Sequence, residues 1–255
     1  MNTALAAAAT LVATAFALST LDRWLRRRRP HELAWTVSLA LFALGSGALW
    51  WAEAVGWSLG AFRVFYAAGA VLNVPWLALG TVHLLAGPVV GRRVERWLVL
   101  LSGFAAGVVR VAHTRATVDG GELPTGKELF GVVPRVLAAV GSGVAALVII
   151  VGAVWSAWRV LRRQSPALGA VRQVHSANRL VIGNVLIAAG TLVLSASGTL
   201  AGRLGKDRAF AVTLLVGICV LFAGFLVATV GHAGRTSAAR TVATGDGAGS
   251  DQAAA

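Results

Sequence analysis

Residues 3–21 read TALAAAATLVATAFALSTL, and residues 22–30 continue as DRWLRRRRP. The first segment is close to the ~20 apolar residues that an α-helix needs to cross the hydrocarbon core of a membrane. Its arginines follow the apolar segment, whereas a cleaved signal peptide carries its positive charge in front. We therefore expect a retained transmembrane helix with its N-terminus outside and its arginines in the cytoplasm.

Apolar runs of similar length recur along the rest of the chain. Seven spans are predicted, at residues 3–21, 33–52, 61–86, 96–113, 131–155, 180–202 and 209–231. Apolar residues form 57% of the chain, charged residues form 13%, and the mean hydropathy is +0.74, as is typical of membrane proteins. The predicted fold class is all-α, a polytopic seven-transmembrane-helix bundle at residues 1–231. Residues 232–255 are small and polar, which predicts a disordered cytoplasmic tail.

The distribution of positive charge predicts the orientation and the partners. The net charge is +13, and fifteen of the 23 lysines and arginines fall on the side of the first arginine cluster. The positive-inside rule then places the N-terminus outside and the C-terminus in the cytoplasm. Because these residues flank the spans, membrane lipids are the expected partners and nucleic acid is not. The composition, rich in Arg, Ala, Gly and Val, is typical of a bacterial source, so the cytoplasmic (cell) membrane is the expected location.

Unusual residues follow one face of the third predicted span. They recur in steps of three and four, as Phe62, Tyr66, Gly69, Asn73, Trp76, Gly80 and His83. Pro75 should kink this span and free a backbone carbonyl near Asn73. Four polar residues of other spans are expected at the same midplane depth, namely Ser142, Asn184, Thr191 and Ser195. Two interpretations stay open, which are close helix packing through small residues and a lined cavity.

A second group of residues is predicted at the outer ends of spans two to five. Its members are Glu53, Arg63, Arg110, His113 and Arg135. Arg110 lies fourteen residues after Arg96, roughly 21 Å along a helix axis, which leaves it in the outer third of the membrane. On one interpretation Arg110 extends to the headgroups or pairs with Glu53. On the other, the group forms a basic pocket for an anionic ligand, whose apolar part contacts Tyr66, Asn73 and Trp76.

The sequence shows no nucleophile–base pair, metal-ligand cluster or cofactor motif, so an enzyme is the less favoured class. No catalytic or metal-binding residue is assigned, and no cofactor is expected. The preferred function is non-enzymatic binding of a lipid or small anionic amphiphile in the outer half of the bundle, as a sensor, chaperone or accessory subunit. One alternative is a small-molecule transporter with a midplane site at the Pro75 kink. The other is a membrane scaffold with basic cytoplasmic loops, and each of the three is compatible with an oligomer or a membrane partner.

Overall fold

The computed structural model describes residues 2–118, 123–162, 182–183, 185–194 and 210–227. In these residues the chain is helical apart from its connections, which include one isolated β-bridge. The helices are α1 (Asn2–Arg27), α2 (Pro30–Val55), α3 (Leu59–Phe65), a π-helix (Tyr66–Leu72), α4 (Asn73–Leu85), α5 (Gly87–Val111), α6 (Gly126–Leu129), α7 (Val132–Arg162), α8 (Val185–Leu194) and α9 (Phe210–Val227). The prediction of an all-α fold is confirmed for this part of the chain.

Five helical stretches among the described residues are long and apolar enough to cross a membrane. They are Thr3–Arg27, Pro30–Val55, Leu59–Leu85, Val132–Ser156 and Phe210–Val227. The third of these comprises α3, the π-helix and α4, and α8 is a shorter apolar helix within the sixth predicted span. The chain is therefore a multi-pass integral membrane protein, while the count of seven spans and the orientation remain predictions.

The fourth predicted span corresponds to α5, which is not among these five stretches. The helix is 25 residues long, but residues 92–96 carry four charges and Arg110 lies near its end. The apolar part between these charges is shorter than the ~20 residues that cross a hydrocarbon core. Near its start, Gly91 lies against the His83 ring of α4 so closely that a Cβ there would be 2.1 Å from Nδ1. α5 is thus packed on the bundle, although its composition differs from that of the other long helices.

The surface of α7 shows how apolar side chains are divided between protein and surroundings. Six of its residues, spaced three or four apart, are exposed: Val136, Val140, Val144, Leu147, Val151 and Val154. On the other side of the helix Ala145 and Ile149 are buried in the core. A continuous outward stripe of this kind would be costly in water, and it is the surface that lipid chains cover in a membrane.

The two ends of the bundle differ in chemical character. The basic end contains the arginines of residues 23–29 together with the start of α2, the end of α4 and the end of α9. The cap end contains residues 112–118 and 123–131, which connect α5 to α7. Within this cap, Thr114 pairs with Phe130 in the β-bridge. The names basic end and cap end are kept below.

The irregularity expected beside Pro75 takes the form of the π-helix. The N–H of Asn73 donates to the carbonyl of Ala68, five residues earlier, as in a π-helix. Because Pro75 has no N–H, it cannot donate to the carbonyl of Ala70, five residues before it. The Ser142 hydroxyl of α7 donates to this carbonyl at 2.6 Å. A side chain of a neighbouring helix thus satisfies a backbone group that the proline leaves without its π-helical donor.

Candidate functional site

A cavity of about 750 Å³ lies toward the cap end, between α2, the π-helix, α7 and α9. Its apolar lining includes Phe42, Phe62, Phe65, Val74, Leu194, Phe210 and Leu214. Small-molecule sites have volumes of about 300–1,000 Å³ and linings of this predominantly apolar kind. The cavity therefore has the size and the surface of a ligand site.

Two cationic side chains border this cavity, and no acidic side chain is among the residues described as lining it. Arg135 belongs to the first turn of α7, and Lys127 belongs to the short helix α6 of the cap. Both therefore lie at the cap end, whereas Phe42 and Leu214 line the cavity from within α2 and α9. The result is an apolar interior with positive charge at one end.

Three uncharged polar side chains of the cavity wall are tied to neighbouring helices. Asn73 is 8% exposed, and its Oδ1 accepts a hydrogen bond from the Ser38 hydroxyl at 2.7 Å. The Tyr66 hydroxyl lies 3.5 Å from the Pro134 carbonyl of α7. Ser142 makes the bond to the π-helix described above. These bonds hold the wall in place, because each joins two different helices.

Hydrogen bonds within the cap give it a defined shape. The Thr125 hydroxyl accepts from the N–H of Glu128, and the Glu128 carboxylate accepts from the N–H of Thr125. This reciprocal pair is a capping box, and it begins α6. The N–H of Arg115 also donates to the carbonyl of Leu129 at 3.0 Å, which joins the two halves of the cap. Lys127 is thereby held on an ordered turn at the cavity.

Aromatic contacts attach the cap to the bundle. The Phe130 side chain is fully buried, and its ring centroid lies 5.4 Å from that of Phe62 and 5.1 Å from that of Tyr66. The Gly126 backbone lies so close to Tyr66 that a Cβ there would be 2.5 Å from a ring atom. The cap is thus packed directly on the side chains that line the cavity.

Of the five outer residues predicted to form a pocket, Arg135 is the one that lines the cavity. Arg63 donates from Nη2 to the carbonyl of Ala112 at 2.9 Å, so it ties α3 to the end of α5. Glu53 lies in the last turn of α2, away from the cavity. Its backbone carbonyl accepts a hydrogen bond from the Thr3 hydroxyl of α1 at 3.5 Å. These two residues stabilise helix ends and do not border the cavity.

Arg110 and His113 are exposed and do not reach the cavity either. α5 lies at the periphery of the bundle and turns Ala105 and Val109 toward the core. Arg110 is the next residue along the helix, about 100° further round the axis, and it therefore faces outward. The structure therefore does not bring Arg110 together with the residues that line the cavity.

The stripe predicted on the third span contacts several helices, because α4 packs against α2, α5 and α7. Asn73 faces α2 and the cavity. The Trp76 indole N–H donates to the Ser102 hydroxyl of α5 at 3.1 Å, so Trp76 does not line the cavity as predicted. His83 also faces α5, with Nε2 3.4 Å from a carboxylate oxygen of Glu95. The stripe is turned toward protein, but only its first half reaches the site.

Of the four further midplane residues, Ser142 lines the cavity. Thr191 is buried, and its hydroxyl donates to the Ile187 carbonyl of its own helix at 2.8 Å. Asn184 and Ser195 lie outside the described residues. Lys127, which was not predicted to belong to the polar wall, also lines the cavity.

The described part of the chain contains no group of three or more His, Cys, Asp or Glu side chains placed to hold a metal ion. The interactions that the cavity offers are positive charge, a few hydrogen-bonding groups and apolar contact. Comparison of the chain with protein-family models, with curated proteins and with solved structures finds no match. The function is therefore inferred from this geometry.

Proposed function

We propose that the protein binds an amphiphilic molecule, a lipid or a small compound with one anionic end, in the cavity at the cap end. The observation that supports this most directly is the cavity of about 750 Å³ bordered by Arg135 and Lys127. The hydrocarbon part of the ligand would occupy the interior between Phe42 and Leu214. The anionic end would accept charge-assisted hydrogen bonds at the cap end. Binding of this kind suits a sensor, a chaperone or an accessory subunit and needs no catalytic group.

The proposal places the cap end on the outer side of the cytoplasmic membrane and the basic end in the cytoplasm. Its support is the positive-inside rule, since the arginine cluster of residues 23–29 lies at the end of the bundle opposite the cap. The ligand would then be held in the outer half of the bundle. A cysteine-accessibility measurement at the cap and at the basic end would test this orientation.

The charge of Arg135 is the part of the proposal that is simplest to test. A hydrogen bond to a charged group contributes about 1.5–3 kcal/mol, so its loss should lower affinity for an anionic ligand roughly 10- to 150-fold. Arg110 provides a matched control, because it lies toward the same end of the bundle but is exposed on α5. We expect Arg135→Gln to lower affinity and Arg110→Gln to leave it unchanged.

Native mass spectrometry of the detergent-purified protein, titrated with palmitate, measures this difference directly. Hexadecanol serves as the uncharged ligand, and its binding should be nearly the same in wild type and Arg135→Gln. Lipid analysis of the protein as purified would identify the natural ligand by its loss in Arg135→Gln. Equal palmitate affinity in the two variants, or no bound amphiphile in any of the proteins, would contradict the proposal.

A transporter is the second candidate, and the π-helix on the cavity wall favours it. Interrupted helices supply binding groups at midplane sites in many transporters. Gly69, Ala70 and Asn73 belong to this interruption or follow it, and all three line the cavity. If the protein is a transporter, proteoliposomes should move a fluorescent fatty acid between leaflets faster than empty liposomes, and Asn73→Leu should abolish the difference. Tight binding without movement would favour the sensor or chaperone.

A further inference from the structure

A second cavity, of about 240 Å³, lies at the basic end of the bundle, where it is bordered by α1, α2, α4, α7, α8 and α9. Most of its lining is apolar, with Leu39, Leu77, Leu84, Ile149, Leu221 and Phe225 among the residues that form it. Two oppositely charged side chains, Arg23 and Glu32, line the same cavity. It shares no described lining residue with the cavity at the cap end.

Glu32 is buried at this site in a way that needs a partner. Its residue is 5% exposed, and its Oε2 atom is buried with no hydrogen-bond partner. The Thr36 hydroxyl, one turn later, lies within hydrogen-bonding distance of both the Glu32 carbonyl and the Thr20 hydroxyl of α1, so it ties the backbone of Glu32 to α1. A buried carboxylate oxygen without a donor costs free energy that a bound cation or N–H group would recover.

Arg23 presents the complementary charge. Its Nε and Nη2 atoms are buried and have no hydrogen-bond partner, so they do not bond Glu32. The guanidinium group lies over the Phe225 ring, with Cζ 4.1 Å from the ring centroid, in a cation–π contact. Arg27 and Arg29 also line the cavity and are exposed. The site therefore offers a fixed donor for an anion, with further positive charge beside it, and a separate acceptor for a cation.

We propose that this cavity binds a phosphoethanolamine group, with the ammonium at Glu32 and the phosphate at Arg23. A primary ammonium donates hydrogen bonds to a carboxylate, and phosphate oxygens accept from a guanidinium group. A choline headgroup has no N–H to donate, and a glycerol headgroup has no positive charge for Glu32. This chemistry is selected by three buried atoms without a hydrogen-bond partner, which are Oε2 of Glu32 and Nε and Nη2 of Arg23.

The size of the cavity and its surroundings favour a phospholipid as the source of this group. A volume of about 240 Å³ accommodates a headgroup and not a whole lipid. Leu84 and Leu85 line the cavity and are also 52% and 41% exposed on the outside of the bundle. Acyl chains could therefore leave the site along these leucines and stay among the surrounding lipids. This inference does not depend on the cavity at the cap end, because different residues carry it.

Lipid competition in native mass spectrometry tests the inference. The delipidated full-length protein is mixed with equal amounts of palmitoyl-oleoyl phosphatidylethanolamine, phosphatidylglycerol and phosphatidylcholine. We expect the wild type to retain the ethanolamine lipid with about tenfold preference over each of the others, the ratio given by ~1.4 kcal/mol. If the wild type retained the three lipids equally, that result alone would overturn the inference.

Three variants assign the preference to the two charged groups. Glu32→Gln should reduce the ethanolamine preference to about one, and Arg23→Gln should weaken retention of all three lipids, because each carries the phosphate. Arg26→Gln is the control, since Arg26 lies on the same helix but is exposed and pairs with Asp22 at 2.9 Å. A Glu32→Gln protein that keeps the full preference would overturn the assignment.

Soluble O-phosphoethanolamine distinguishes a phospholipid from a free small molecule as the source of the phosphoethanolamine group. Weak displacement of the ethanolamine lipid by millimolar O-phosphoethanolamine supports a lipid as the ligand, because the acyl chains then add affinity. Binding of O-phosphoethanolamine without retention of the lipid supports recognition of the free compound by the same groups. Binding of neither overturns the proposal.

Discussion

The hydrogen bond from Ser142 of α7 to the Ala70 carbonyl of the π-helix should matter for stability because Pro75 has no N–H. Ser142→Ala removes the hydroxyl that donates to this carbonyl at 2.6 Å. Interhelical polar contacts in membrane proteins contribute about 0.6 kcal/mol on average and up to about 1.7, and an unsatisfied buried polar group costs about 1–3 kcal/mol. Residue 75 has no N–H that could replace the lost donor. We therefore expect Ser142→Ala to lower the free energy of unfolding by about 1.5 kcal/mol, near the upper end of the range for interhelical contacts in membrane proteins.

The same substitution should cost less when residue 75 can donate. Pro75→Ala restores a backbone N–H within reach of the carbonyls before it. In that background Ser142→Ala should lower the free energy of unfolding by no more than ~0.5 kcal/mol, because the regained N–H can take over the Ala70 carbonyl. The coupling energy of the double-mutant cycle is then about 1 kcal/mol.

The assay is the free energy of unfolding of the four proteins in mixed micelles, measured by titration with sodium dodecyl sulfate and followed by circular dichroism. Ser46→Ala is the control, because Ser46 also lines the cavity but its hydroxyl donates to the Phe42 carbonyl of its own helix at 2.9 Å. The control should cost less than Ser142→Ala. An equal cost of Ser142→Ala in both backgrounds would refute the role assigned to Pro75.

Three glycines give further predictions. Gly91 and Gly126 lie close to the rings of His83 and Tyr66, whereas Gly103 has space beside it. Gly91→Ala would put a Cβ 2.1 Å from the His83 ring, so it should destabilise the protein by about 1–3 kcal/mol in the same unfolding assay. Gly103→Ala is its control on the same helix, since no atom beyond the backbone of its own helix and its chain neighbours lies within 4 Å of the added Cβ, and it should be neutral or slightly stabilising. Gly126→Ala should push the cap away from Tyr66. If the free energy of local opening falls by ~1.4 kcal/mol, amide hydrogen exchange at residues 125–130 should rise about tenfold. Unchanged exchange there would show that the cap does not depend on this contact.

Local composition was sufficient to predict where the long helices lie. The second span, predicted at 33–52, is α2 at Pro30–Val55, and the third, predicted at 61–86, is the continuous stretch Leu59–Leu85. The irregularity beside Pro75 was also predictable, because a missing N–H is a local property of the residue. The T-x-x-E pattern at residues 125–128 is likewise a local signal, since its capping box begins α6.

Which residues line the cavity could not be predicted from local composition. Arg110 and Arg135 have the same side chain and lie toward the same end of the bundle, yet one is exposed and the other lines the cavity. Periodicity relates residues of one helix to each other but does not say which neighbour a face meets. Trp76 shows the same limit, since it lies on the predicted stripe but bonds Ser102 of α5.

The sequence by itself determined that this is an α-helical membrane protein, that a cluster of arginines follows its first span, and that polar residues enter its third span. These properties depend on the free energy of placing each segment in lipid, which is nearly a sum over neighbouring residues. Only the tertiary structure decided that Asn73, Ser142, Arg135 and Lys127 share one cavity and that Arg23 and Glu32 share another. The rotation of each helix about its axis and the return of the cap onto the bundle depend on contacts between residues far apart in the chain, which no local pattern records.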